Sequence, residues 1–152
     1  MLFTGHAELN IDPKGRLAIP AKYRNQWDPQ IDGPGWYCVP WPDGSLRVYT
    51  EQTFQRLADR DDTSLTPEPQ VAELEANFFG SAERVEMDSA GRITLPKHHV
   101  RLTGLPSEVV VVGARNRMEI RDRAAWLKQE QARFKALPDL VTRVESSRRN
   151  TP

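Results

Sequence analysis

The chain has 152 residues, 38% of them hydrophobic, with 12 Pro, 9 Gly and a single Cys, a length that suits one domain or two small ones with thin cores. One Cys excludes an intrachain disulfide framework and any zinc site built on Cys pairs, and no apolar run reaches the ~20 residues that span a bilayer. The 21 basic residues equal the 21 acidic ones, which argues against the simplest nucleic-acid binder, a uniformly basic domain.

The opening Met1 to His6 has neither the charged start nor the long apolar stretch of a signal peptide, so a cytoplasmic protein is expected. From Glu8 the chain reads Glu-Leu-Asn-Ile-Asp-Pro-Lys-Gly-Arg-Leu-Ala-Ile-Pro20, and 76 residues later Arg84 to Pro96 repeats the pattern as Arg-Val-Glu-Met-Asp-Ser-Ala-Gly-Arg-Ile-Thr-Leu-Pro. Asp12, Gly15, Arg16 and Pro20 recur as Asp88, Gly91, Arg92 and Pro96, and the intervening apolar positions keep their character. In each copy the alternating apolar residues predict half-buried strands. Asp12-Pro13-Lys14-Gly15 fits a type I turn, with Gly suited to the left-handed position of a short bulged hairpin loop, and Asp88-Ser89-Ala90-Gly91 fits the same turn. Asp12, Gly15, Asp88 and Gly91 are therefore the turn-structuring residues.

Pro20 and Pro96 suit the first turn of short helices near 21–27 and 97–102, the latter stopped by Gly104. A hairpin is predicted from Trp36–Val39 and Leu46–Tyr49, and its counterpart from Val109–Val112 and Met118–Arg121. Here the offset is 72, so the first copy carries about four extra residues, placed between Asp28 and Gly35. Thr50 and Asp122 are expected to cap helices over 51–60 and 123–136. A linker is expected over 61–70, then a helix over 71–79 closed by Gly80. Beyond Pro138 the chain is polar and is expected to be frayed. The resulting division is a first repeat over 3–60, a linker and connecting helix over 61–79, a second repeat over 80–136 and a disordered tail over 137–152.

Charge is segregated within this neutral chain. Asp12 to Arg24 carries Lys14, Arg16, Lys22 and Arg24 against one acid, whereas Glu51 to Glu75 carries seven acids against two arginines. A local anion-binding face would produce this asymmetry, and so would a solvated charged surface. The repeated Asp-x-x-x-Arg likewise has two compatible readings. The guanidinium fork could meet a phosphate or a guanine edge, or Asp could cap the turn and pair with Arg across it. Enzyme readings find little support: Asp12 and Asp88 sit where a turn wants Asp, and adjacent His98 and His99 do not share a helix face. Those histidines suit a solvated or helix-end role, Cys38 a core role, and Phe78, Phe79 and Trp126 the core rather than a stacking platform.

Together the two signatures, the connecting Phe78-Phe79-Gly80-Ser81-Ala82-Glu83, the run Val110-Val111-Val112-Gly113 and the opening Phe3-Thr4-Gly5-His6 resemble the MraZ transcriptional regulators over about residues 3 to 135. The resemblance implies an α+β, mainly β fold in which two AbrB/MazE-like units form a pseudo-dimeric swapped-hairpin barrel with short flanking helices. It also implies a ring-shaped homo-oligomer that binds double-stranded DNA at short direct repeats, in the promoter of its own division and cell-wall gene cluster, as a nucleoid-associated repressor. No catalytic residue, metal or cofactor is implied. Arg16 and Lys14 match the first signature and Arg92 the second, with Lys22 and Arg24 as further DNA-binding candidates. Ala90 departs from the basic residue expected there, so the second hairpin need not act equally. An antitoxin-like interaction protein, holding a protein partner on the same barrel, is the alternative from another class, and a small hydrolase or metal enzyme is a third.

Overall fold

The computed structural model describes residues 1–60 and 64–150. In chain order the elements are β1 (His6–Asn10), β2 (Arg16–Ala18), α1 (Ala21–Arg24), α2 (Pro29–Asp32), β3 (Gly35–Pro40), β4 (Leu46–Thr50), α3 (Glu51–Ala58) and α4 (Pro69–Ser81). They continue as β5 (Glu83–Glu86), β6 (Arg92–Thr94), α5 (Lys97–Thr103), β7 (Glu108–Gly113), β8 (Met118–Asp122), α6 (Arg123–Lys128) and α7 (Glu130–Arg149).

The strands form a six-stranded antiparallel sheet in the order β1-β7-β8-β4-β3-β5 and a two-stranded ribbon, β2-β6. Exchanging the two repeats maps this order onto itself, so the sheet has an internal pseudo-twofold. The register fixes its centre, with Leu17 opposite Ile93 in the ribbon and Arg47 opposite Glu119 in the sheet. The expectation of a simple hairpin around each Asp needs correction. β1 and β2 leave the Asp12 turn in different directions, β1 pairing with β7 and β2 with β6. Each repeat thereby completes the other, because its own two strands would leave one apolar face uncovered. The core lies between ribbon and sheet, where Leu17, Ile19, Ile93 and Leu95 meet Val48, Val111, Met118 and Ile120, all at most 2% exposed. Cys38 is in this core, and burial first, then the nearby Glu83 charge, pushes its thiol up to about 12.

A second cluster packs α3 and α4 on the outside of β3 and β4: Phe54 stacks on Tyr37 and Phe78, beside Val39 and Tyr49. The Thr50 and Asp122 caps form as expected, Thr50 Oγ1 accepting from Thr53 N and Asp122 Oδ1 from Ala125 N. Gly80 does not stop its helix, which runs on to Ser81 with Ala82 as its extended cap. The four extra residues of the first repeat fold as α2, capped by the Asp28 carboxylate. The helix expected over 123–136 divides at Gln129 into α6 and α7.

The tail is the largest correction. Residues 137–149 are helical, as the second half of α7. Pro138 costs this helix one backbone donor but its φ is compatible with it, and Asp139–Arg143 and Glu145–Arg148 pair along the surface beyond it. Leu137, Leu140, Val141 and Val144 add apolar residues at helical spacing, all exposed. Of the expected linker, Asp61, Asp62 and Thr63 lie outside the described residues, as do Thr151 and Pro152 of the expected tail. No helix among the described residues is long and apolar enough to cross a membrane.

Candidate nucleic-acid interface

The two Asp turns are built alike, bond for bond. Gly15 N donates to Asp12 O at 2.9 Å and Asp12 N to Arg16 O at 2.9 Å; Gly91 N donates to Asp88 O at 3.0 Å and Asp88 N to Arg92 O at 2.8 Å. The glycines take φ of +79° and +76°, which L side chains adopt only with strain. Inside the first turn, Asp12 Oδ1 accepts from Lys14 N and Arg16 N, and Oδ2 from Arg16 Nε at 2.6 Å. Inside the second, Asp88 Oδ1 accepts from Ala90 N and Arg92 N, and Oδ2 from Arg92 Nε at 2.9 Å. The Arg16 and Arg92 backbone N–H bonds are the leading reason each carboxyl is held below the ordinary aspartate range.

The turns also interlock. Ile19 N donates to Gly91 O and Leu95 N donates to Gly15 O, so each strand that leaves one turn is pinned to the other. Between them, strand alternation puts Leu17 and Ile93 inward and Arg16, Ala18, Arg92 and Thr94 outward on the ribbon. Arg16 pairs with Thr94, two residues from Arg92, a separation of roughly 7 Å along the strand direction. Both arginines are about one-third exposed. Each spends its Nε on its turn Asp, and among the described residues no other bond engages either guanidinium. What remains is the terminal two-nitrogen fork, held end-on by the turn, the geometry that meets a phosphate or guanine O6/N7 bidentately.

The other expected residues are placed differently. Lys14 is exposed at the crest of the first turn. Lys22 reaches the opposite end of β1, its Nζ 3.3 Å from His6 O. Arg24 lies at the other turn, its Nε donating to Ile19 O at 2.9 Å and its guanidinium packed on Gly91 of the second turn. A lysine that the sequence reading passed over, Lys97, lines the cleft beside the first turn with Asp12, Lys14 and Thr94. Lys97 corresponds to Ala21 at the 76-residue offset, so the repeat pattern alone gave it no weight.

Two other expectations are revised. His99 is fully buried rather than solvated, with Nε2 2.6 Å from Ser81 O. It takes the place of Tyr23, whose hydroxyl donates to Thr4 O at the start of the first repeat, while His98 stands 3.8 Å from Glu83. Trp126 is half-exposed, with the Arg133 guanidinium 3.3 Å from its ring centre and Arg121 on it at 5.7 Å. Among the described residues no three His, Cys, Asp or Glu side chains gather where a metal ion could be held.

Fold and site define a class: a single-chain, two-repeat swapped-hairpin barrel that displays two Asp-clamped arginine turns on one ribbon. Comparison with known proteins gives the family. The model of the MraZ protein family, whose description includes the words antitoxin-like, matches residues 2–73 and 78–139, and the chain belongs to that family. Similar relatives include proteins called Transcriptional regulator MraZ from Thioalkalivibrio sulfidiphilus, 34% identical over 88% of this chain and 89% of the relative, and from Nitrosomonas europaea, 34% identical over 82% and 84%. Another of that name, from Mycobacterium ulcerans, is 35% identical over 86% of this chain and 87% of the relative.

Proposed function

We propose that the chain is a transcriptional regulator that binds double-stranded DNA through the β2–β6 ribbon, with Arg16, Lys14 and Arg92 among its contacts. The observation that carries this reading is the outward pair Arg16 and Arg92, each clamped through Nε with its terminal fork free. A two-stranded antiparallel ribbon is one of the elements the major groove admits, and a preorganised arginine loses little freedom on binding. The relatives' shared name, Transcriptional regulator MraZ, supports the class. The target in this reading is a set of short direct repeats upstream of the chain's own gene, in the division and cell-wall gene cluster, and the outcome there is repression on the nucleoid.

One protomer neutralises few phosphates, so the reading includes a homo-oligomer, as a ring, that brings several ribbons to one DNA segment at high effective concentration. Its support is the exposed apolar face of α7, where Phe134, Leu137, Val141 and Val144 recur at spacings of three and four, the pattern helices use to associate. The same face favours the second reading, an antitoxin-like protein that holds a protein partner. Co-purification of a stoichiometric partner in place of self-assembly would select it.

Arg16→Ala tests the DNA reading. In a mobility-shift titration on DNA from upstream of the gene, it is expected to weaken binding by tenfold or more, about the value of one bidentate contact, with oligomer size and thermal stability retained. Parent-like affinity at moderate salt would remove the first turn from the interface.

A further inference from the structure

The second turn lacks a counterpart to Lys14, since Ala90 occupies that position. The structure shows where a cation comes from instead. A Cβ built on Gly91 would lie 2.6 Å from Arg24 Nη1 and 3.1 Å from Arg24 Cζ, so the guanidinium of a first-repeat residue covers the second turn. At the first turn the same construction on Gly15 meets only the Leu95 carbonyl, at 3.9 Å. Gly91 is accordingly buried where Gly15 is only half-buried. At the 76-residue offset Arg24 corresponds to Val100, and Val100 lines the cleft beside the first turn. The exchange is therefore reciprocal: Lys14 with Val100 at one turn, Ala90 with Arg24 at the other.

Arg24 is held as a binding group would be. Its Nε donates to the carbonyl of Ile19, the residue whose own N–H meets Gly91 O, so its root is anchored to the strand that closes the second turn. The side chain is exposed and has no acidic partner among the described residues. Arg92, in the same turn, gives its Nε to Asp88 and keeps its terminal nitrogens.

We infer that Arg24 and Arg92, from different repeats, form a composite phosphate-binding site at the second turn, matching Lys14 and Arg16 at the first. This rests on the DNA reading above and adds to it that both turns contact the backbone of one duplex, despite Ala90. A cation supplied across the pseudo-twofold replaces one lost within the turn.

The experiment compares the full-length parent with Arg24→Ala, Ala90→Lys and the double variant R24A/A90K, beside Arg16→Ala. All are titrated with a duplex from upstream of the gene and with a random-sequence duplex of equal length, at several salt concentrations, after thermal unfolding confirms a folded protein. Arg24→Ala is expected to weaken binding to both duplexes by about tenfold and to flatten the salt dependence by about one counterion per site. Ala90→Lys in the Arg24→Ala background is expected to return affinity to within about threefold of the parent, because it restores the first turn's own arrangement. Parent-like binding by Arg24→Ala overturns the inference. So does a loss that Ala90→Lys leaves uncorrected, since a purely structural role for Arg24 would behave that way. If Arg16→Ala also binds like the parent, the failure belongs to the DNA reading itself; if only Arg24→Ala does, it belongs to the composite site.

Discussion

Asp12 and Asp88 each accept three hydrogen bonds from within their own turn, two from backbone N–H groups and one from an arginine Nε. Depressed carboxyl pKa values make this contribution complete above the ordinary aspartate value of about 3.9 and lost only as pH falls through the lower folded values. The arginines therefore stay clamped throughout the neutral range. Glycine sets the other constraint. With φ of +79° and open space around it, Gly15 tests backbone strain alone, and Gly15→Ala is expected to cost about 1–2 kcal/mol in denaturant unfolding. Gly91→Ala should cost more, because its methyl would also meet Arg24 Cδ at 2.7 Å and Nη1 at 2.6 Å, on a side chain tied through Nε to Ile19 O. A Gly15→Ala protein as stable as the parent would mean that the turn does not require the left-handed conformation. These turns were legible in the sequence because Asp first and Gly fourth is a local code. The position of Arg24 was not, since nothing within one repeat records which turn its side chain reaches.

Among the elements, α5 shows how duplication lets equivalent positions diverge. Tyr23 on α1 and His99 on α5 occupy the same place, each tying down the chain that enters its repeat. Tyr23 does so with a hydroxyl, His99 with Nε2, while His99 Nδ1 is buried with no hydrogen-bond partner among the described residues. Burial is the main cause that lowers the His99 pKa, with the bond to Ser81 opposing it; adjacent His98 lowers it further and Glu83 raises it. A lowered folded value makes the contribution complete above the ordinary histidine value of about 6.5 and lost as pH falls through the folded one. Unfolding stability is therefore expected to fall between pH 7 and pH 5, and His99→Gln, which keeps a donor for Ser81, should flatten that slope. An unchanged slope in His99→Gln would place the pH dependence elsewhere. The buried role of His99 escaped the sequence reading because two adjacent histidines carry no sign of which one faces inward. The end of α7 was missed for a related reason: polar composition and Pro138 suggested fraying, and the helical signals there, apolar residues at spacings of three and four and the pairs Asp139–Arg143 and Glu145–Arg148, were given no weight.

At the scale of the molecule, the 76- and 72-residue offsets read from the sequence reappear as the self-matching strand order of the sheet and as turns equivalent bond for bond. What periodicity could not show is that each strand pairs with the other repeat, because pairing partners far apart in the chain leave no local pattern; the family resemblance supplied that. Joining the repeats in one chain also permits what identical subunits could not. At the centre of the pseudo-twofold Arg47 faces Glu119, and Glu119, only 5% exposed, is held between Arg117 and Arg121. The same freedom distributes cations unevenly between the turns, Lys14, Arg16 and Lys97 at the first and Arg24 and Arg92 at the second, so a neutral chain can present a cationic ribbon. Several such ribbons, carried by one assembly, would then read repeated DNA boxes. The most direct measurement is a nuclease footprint of the purified protein on DNA upstream of its own gene. Evenly spaced protected repeats, lost with Arg16→Ala, are the expected result; uniform coverage of any sequence, or no protection, would contradict DNA recognition by the ribbon.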